Sequence, residues 1–121
     1  MYRILFVDDD AAMRELVRRV LERQGYFVHA VPTAEVALVL LEEKISFDLL
    51  ITDVVMPGGM NGFDLADRAL AMQPRLNVIY LTGFVNLPRR RLAELRGRLV
   101  AKPVLPSQLV HEVRGALAAA A

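Results

Sequence analysis

Polar residues that could do chemistry stand at the ends of four apolar runs in this sequence. The run "YRILFV" is followed directly by Asp8 and Asp9. The run "FDLLITD" ends at Asp53, "LNVIYLT" ends at Thr82, and "RLVAK" ends at Lys102. Mg²⁺ binds oxygen ligands such as carboxylates, and a carboxylate can also act as a nucleophile toward a phosphoryl group. An ammonium and a hydroxyl nearby could stabilise the transferring oxygens. These residue types could therefore support magnesium-dependent phosphoryl transfer to an aspartate, if the fold brings them together.

Strand-like and helical patterns alternate along the whole chain. Apolar residues recur at helical spacing after each of these runs, and a further strand-like run, "YFVHAV", separates the first two helical segments. This alternation favours a parallel sheet, because right-handed crossovers place the helices on both of its faces. The pattern predicts an α/β fold of five βα units around one doubly wound five-stranded parallel sheet.

Capping residues predict where several helices begin and end. Asp10 is expected to cap the first helix and Gly25 to end it in a left-handed conformation. A fourth helix is predicted to begin near Pro88 and to end at Gly97. Ser107 is expected to cap the fifth helix.

The predicted sheet should gather the polar strand ends at one edge. Parallel strands share one carboxyl edge, and open α/β folds bind ligands in the crevice outside it. Asp8, Asp9 and Asp53 would repel one another there unless positive charge were supplied, and a hard cation such as Mg²⁺ is a natural source. In phosphoryl transfer, Asp53 would be the acceptor, with Thr82 and Lys102 facing the equatorial oxygens.

Each of these residues also has an ordinary structural explanation. The run "DDD" could cap a helix and place negative charge at its N-terminus, although this does not require three acids. Asp53 could begin the turn "MPGG", Thr82 suits a strand, and Lys102 could be a solvated lysine. Their joint placement at four strand ends favours a shared site.

Length and composition restrict the class of protein. The 121 residues, 55% hydrophobic and 24% charged, fit one domain. The absence of cysteine excludes disulfides, thiolate metal sites and a cysteine nucleophile. A net charge of +1 gives no overall field for nucleic acid, and neither a membrane-length apolar run nor an export signal is visible. We therefore expect a soluble cytoplasmic protein that binds neither nucleic acid nor membrane.

The sequence resembles the receiver domain of two-component response regulators over essentially the whole chain. Four motifs carry the resemblance in order: "FVDDD", "ITDVVMPGGMNG", "YLTG" and "AKP". The resemblance implies a flavodoxin-like (βα)5 fold with strand order 2-1-3-4-5. It also implies that Asp53 is the phosphoacceptor, that Thr82 is the switch hydroxyl, and that both act with Lys102.

The same resemblance implies a set of metal ligands. Asp9 and Asp53 should bind Mg²⁺ directly, Asp8 should bind it through water, and the backbone carbonyl of Val55 should complete the protein ligands. The peptide joining Lys102 to Pro103 should be cis, which an X-Pro bond tolerates far better than other peptides.

The resemblance also implies partners. A histidine kinase or histidine phosphotransfer protein should phosphorylate Asp53, and the signal should reach an unknown downstream protein, or a homodimer, through the fourth helix, the fifth strand and the fifth helix. We expect a single receiver domain over residues 1–121 with no output domain. It should not be an enzyme, beyond assisting its own magnesium-dependent phosphorylation and dephosphorylation.

Two features depart from the usual receiver pattern. The turn "MPGGMNG" is one residue longer than the commonest form and resembles receivers attached to hybrid kinases. Leu99 stands where the family usually has Tyr or Phe, three residues before the strand-five lysine. Function could then depend on the fourth helix, around which five arginines are placed: Arg89, Arg90, Arg91, Arg96 and Arg98. We favour the interpretation that these arginines form a solvated face over the alternative that they form a docking site for an acidic partner.

Three other functions fit the sequence less well. A pseudo-receiver that keeps the fold without switching is the main alternative, favoured by Leu99 and disfavoured by the intact set of strand-end residues. A haloacid-dehalogenase-type phosphatase would need a D-x-D-x-[TV] motif, and "DDDAA" lacks the final residue. Flavin binding is disfavoured because the acids of "VDDDAAM" would repel its phosphate unless a metal lay between.

Overall fold

Five parallel strands form the centre of the protein. The structure, a computed structural model, describes residues 1–43, 45–56, 59–83 and 95–118. The strands are β1 (Arg3–Val7), β2 (Phe27–Val31), β3 (Leu49–Asp53), β4 (Asn77–Thr82) and β5 (Arg98–Ala101). They form one sheet in the order β2-β1-β3-β4-β5, with every neighbouring pair parallel. The predicted doubly wound α/β fold and its strand order are confirmed.

Helices connect these strands. Within the described ranges they are α1 (Ala11–Glu22), α2 (Ala34–Glu42), α3 (Gly62–Met72) and the C-terminal helix (Pro106–Ala118). Asp10 caps α1 as predicted, because its side chain accepts hydrogen bonds from the backbone amides of Ala12 and Met13. Gly25, with φ of 91°, has the left-handed conformation expected after α1. None of the helices in the described part of the chain is long and apolar enough to cross a membrane.

One predicted helix boundary differs from the structure, and one predicted helix lies largely outside the described residues. The predicted cap at Ser107 is wrong, since the C-terminal helix begins at Pro106 and Ser107 lies in its first turn. Proline suits this position because its φ is already helical and its missing N–H has no partner to lose. The predicted fourth helix falls largely on residues 84–94, which are outside the described part of the chain, as are Arg89, Arg90 and Arg91.

Side chains alternate between the two faces of the sheet and build a core on each. Leu5 and Val7 point toward α2 and α3, whereas Ile4 and Phe6 pack with α1 and the C-terminal helix. All five residues of β3 are buried. The end of β3 is therefore held by packing from both sides, as expected for the central strand of a parallel sheet.

The start of α3 packs tightly against the end of β3. The amide of Gly62 donates a 2.8 Å hydrogen bond to the carbonyl of Val54. A Cβ at Gly62 would lie 2.0 Å from the carbonyl oxygen of Asp53, so only glycine fits here. This contact fixes where the turn after β3 must close. After the edge strand β5, the Lys102–Pro103 peptide is cis, as the resemblance implied.

We expect Leu109→Ala to destabilise the protein by about 2–5 kcal/mol, because it leaves a cavity under the C-terminal helix. Leu109 is 3% exposed. Leu105→Ala is the matched control: Leu105 is 65% exposed, and its replacement should change the free energy of unfolding by no more than about 0.5 kcal/mol. Urea unfolding checks both variants. Equal effects would contradict the packing described for this helix.

Candidate functional site

Three acidic side chains meet at the carboxyl edge of the sheet. Asp8 follows β1 and is 1% exposed, and Asp53 ends β3 and is 4% exposed. Asp9 is exposed beside them. One carboxylate oxygen from each of the three lies within 4.8 Å of the other two. The structure thus brings the adjacent Asp8 and Asp9 together with Asp53, which lies more than 40 residues later in the sequence.

A lysine and a threonine face the same place. Lys102 Nζ forms an ion pair with Asp53 Oδ1 and lies 3.7 Å from Asp8 Oδ2. The backbone amide of Lys102 donates a 2.8 Å hydrogen bond to the carbonyl of Thr82, which ties the ends of β4 and β5 together. An open cavity of about 210 Å³ lies here, lined by Asp53, Val55, Leu81, Thr82, Gly83 and Lys102. The predicted acceptor, hydroxyl and ammonium therefore line one cavity.

Asp8 is held by contacts to its backbone and to one side-chain oxygen. Its amide donates a 3.1 Å hydrogen bond to the carbonyl of Val31, and its Oδ1 accepts a 2.9 Å hydrogen bond from the amide of Asp10. Asp8 Oδ2 is buried and accepts no hydrogen bond from the described residues. Asp53 Oδ1 is in the same situation, and Lys102 Nζ is the positive group that lies beside both oxygens. Buried carboxylate oxygens without a donor are costly, so further positive charge at this place would stabilise them.

Charge at the site is unevenly balanced. Burial raises the pKa of Asp53 to about 6, the contact with Lys102 opposes this rise, and the nearby charge of Asp8 adds to it. Burial by itself would lower the pKa of Lys102, but contact with Asp53 and Asp8 outweighs burial, so the pKa of Lys102 is raised. Lys102 is therefore charged at neutral pH, yet one ammonium does not offset three carboxylates.

The described residues fit a hard cation. Asp8, Asp9 and Asp53 offer oxygen ligands in one cluster, two of the buried oxygens (Asp8 Oδ2 and Asp53 Oδ1) accept no hydrogen bond from the described residues, and the excess charge is negative. Val55 lines the adjoining cavity, which places the turn after β3 at the cluster. The assignment of its backbone carbonyl as a ligand stays a prediction.

Leu99 lies on the edge strand β5, three residues before Lys102. It pairs in register with Tyr80 of β4 and is 37% exposed. Tyr80 is buried, with its ring centroid 5.3 Å from that of Phe63. On the same strand, Arg98 forms a 3.2 Å ion pair with Glu112 of the C-terminal helix.

Two residues that contact the site were not singled out from the sequence. Gly62 abuts the carbonyl of Asp53, and the Arg14 side chain donates a hydrogen bond to the carbonyl of Asp8. Gly62 is the last residue of the motif "ITDVVMPGGMNG", which could have drawn attention to it, whereas an arginine in a helix is common and Arg14 carries no such signal. Their roles depend on a backbone carbonyl that only the fold brings within reach.

Comparisons with known proteins agree over nearly the whole chain. The family model of the response regulator receiver domain matches residues 4–114. The response regulator receiver protein CpdR of Brucella abortus is 38% identical over 122 residues, covering 99% of this chain and 100% of CpdR.

Solved structures give the same result. The receiver domain of the hybrid histidine kinase CckA is 33% identical with a TM-score of 0.81, covering 95% of this chain and 98% of that one. The response regulator TrrA of Thermotoga maritima, solved in complex with Mg²⁺ and BeF, is 28% identical with a TM-score of 0.84, covering 97% of this chain and all of TrrA.

Asp53→Asn should stabilise the metal-free protein, because it removes one of the crowded carboxylates. The pKa of Asp53 is raised from 3.8 to about 6 in the folded state. The wild type therefore loses stability as the pH rises through this window and stays at the lower value above it. Above pH 7 the variant should exceed the wild type by about 1–2 kcal/mol, and the difference should shrink toward pH 4.

Urea unfolding in EDTA from pH 4 to 8 measures this difference. Asp67→Asn is the control, because Asp67 is an exposed acid on α3 outside the cluster. The charge balance described here would be wrong if Asp53→Asn were less stable than wild type at pH 7.5, or if its gain did not change with pH.

Proposed function

This chain belongs to the response regulator receiver family, and from that premise we propose that Asp53 accepts a phosphoryl group from a histidine kinase or a histidine phosphotransfer protein. The observation that carries the proposal is the ion pair of buried Asp53 with half-buried Lys102, at a cavity that Thr82 also lines. Receiver domains act with such kinases in two-component signalling.

The proposed transfer uses groups that are already positioned. An oxygen of ionised Asp53 attacks phosphorus in line, the new O–P bond forms, and the N–P bond to the donor's imidazole breaks. The imidazole nitrogen keeps that electron pair and takes up a proton. Lys102 and Thr82 then donate hydrogen bonds to equatorial oxygens of the phosphoryl group. Burial of Asp53 at the end of β3 holds the nucleophile in a fixed position.

The acidic cluster is the proposed site of Mg²⁺. Asp9 and Asp53 would bind it directly, Asp8 through water, and Val55 through its backbone carbonyl. The ion, when bound, would supply the positive charge that offsets the carboxylates and the phosphoryl oxygens. TrrA, which was solved with Mg²⁺ and BeF, supports this choice of ion.

The wider role follows from the same proposal. The domain would act in the cytoplasm, it would assist only its own phosphorylation and dephosphorylation, and it would not be an enzyme toward other substrates. A downstream protein, or a second copy of this chain, would bind the face that includes β5 and the C-terminal helix. Exposed Leu99 and Leu105 give this face apolar surface.

Phosphorylation should map to Asp53. Wild-type protein incubated with acetyl phosphate and Mg²⁺ should gain one phosphoryl group, detected by intact mass, because a small donor needs only the site residues. Asp53→Asn should remove the label and EDTA should suppress it. Asp67→Asn should keep it. Labelling retained in Asp53→Asn would refute the assignment.

Beryllofluoride, which mimics a phosphoryl group on aspartate, should test switching. With Mg²⁺ present, amide NMR shifts should spread over residues 84–114 and are also expected at these site residues: Asp8, Asp9, Asp53, Thr82 and Lys102. Shifts confined to the cavity would indicate a phosphate sink, and their absence would favour a pseudo-receiver. Leu99→Tyr should alter the shifts of β5 and leave Mg²⁺ affinity unchanged, because Leu99 lies outside the acidic cluster.

A further inference from the structure

We propose that Arg14 is a positioning residue for the metal site, acting through the peptide that joins Asp8 to Asp9. Arg14 lies on α1 and is half-buried, and its Nη1 donates a 2.8 Å hydrogen bond to the backbone carbonyl oxygen of Asp8. The inference rests on the proposed function, since it concerns how the same cluster binds Mg²⁺.

The carbonyl that Arg14 holds is well placed to orient both acids. It belongs to the Asp8–Asp9 peptide, which is planar, so rotating that plane swings the backbone of both residues. The carboxylates of Asp8 and Asp9 belong to the cluster whose oxygens lie within 4.8 Å of one another. The hydrogen bond from Arg14 therefore fixes the relative direction of two proposed ligands that are adjacent in sequence.

The other hydrogen bonds described here for Asp8 do not involve its backbone carbonyl, which Arg14 contacts. The amide of Asp8 is held by Val31, and its Oδ1 is held by the amide of Asp10. These bonds lie on the amino side of the residue or on its side chain. Arg14 holds the carboxyl side, where the chain turns from β1 into α1. Second-layer partners of this kind commonly tune metal affinity about 10–100-fold.

Arg14 differs from the other arginines along α1. Arg18 pairs with Glu15 and Glu22, and Arg19 pairs with Glu15 at 2.8 Å. Those pairs lie within the helix surface, whereas Arg14 reaches off the helix to the end of β1. If Arg14 only supported α1, replacing Arg14 and replacing Arg19 should have the same effect on Mg²⁺ affinity. If Arg14 acts at the metal site, only its own replacement should lower that affinity.

The test is a Mg²⁺ titration of the full chain, followed by amide NMR, for wild type, Arg14→Met, Arg14→Lys and Arg19→Met. Methionine keeps the apolar stem and removes the donors. We expect the Kd for Mg²⁺ to rise about tenfold in Arg14→Met, with Arg14→Lys intermediate and Arg19→Met within about twofold of wild type. The melting temperatures of the metal-free variants should be similar, which separates positioning from general stability.

Phosphorylation gives an independent readout. With acetyl phosphate, Arg14→Met should need about tenfold more Mg²⁺ for half-maximal labelling, yet reach a maximal rate within about threefold of wild type. A Kd for Arg14→Met within about twofold of wild type would overturn the inference, as would an equal effect of Arg19→Met or a wild type that binds no Mg²⁺. A wild type that binds Mg²⁺ but is not labelled at Asp53 would refute the proposed function, and the Kd comparison would still decide the role of Arg14.

Discussion

The mutual repulsion of Asp8, Asp9 and Asp53 is the constraint on which the rest of the structure depends. Their oxygens lie within 4.8 Å of one another, and two of the three carboxylates are almost fully buried. Burial and like charge both oppose ionisation, which explains why the pKa of Asp53 is raised despite its contact with Lys102. Such a cluster persists only where the surrounding structure determines its geometry, and here the two-sided core around β3 does so.

The rigidity of that core has a functional consequence. Asp53 ends a central strand that is held on both sides, because β1 and β4 pair with β3 along its length. The edge strand β5 is held less firmly than β3, because among the described strands it pairs only with β4. Charge introduced at Asp53 would be felt first by Lys102 and Thr82, which lie at the ends of β5 and β4. The architecture thus joins a buried acid on a central strand to an edge strand that carries exposed Leu99.

How far the sequence predicts this molecule differs from residue to residue. Asp10 and Gly25 were predicted because capping and left-handed turns depend on neighbours within a few residues. Ser107 was misassigned because Pro106, one residue earlier, is also a good helix start. The roles of Arg14 and Gly62 were not predicted, because both residues contact backbone carbonyls. Every residue has a backbone carbonyl, so the sequence does not show which one a side chain will reach. Leu99 was noticed in sequence, but its pairing with Tyr80 is a property of the sheet.

The sequence by itself determined the alternation of strands and helices and the polar residue at each strand end, because periodicity and capping are local. Only the tertiary structure decided which carboxylate oxygens lack a hydrogen bond, which two acids lie beside Lys102, and how far burial raises the pKa of Asp53. Those quantities depend on distances between segments that are far apart in the chain, and on how completely packing excludes water. Neither is encoded in the spacing of residues along one segment.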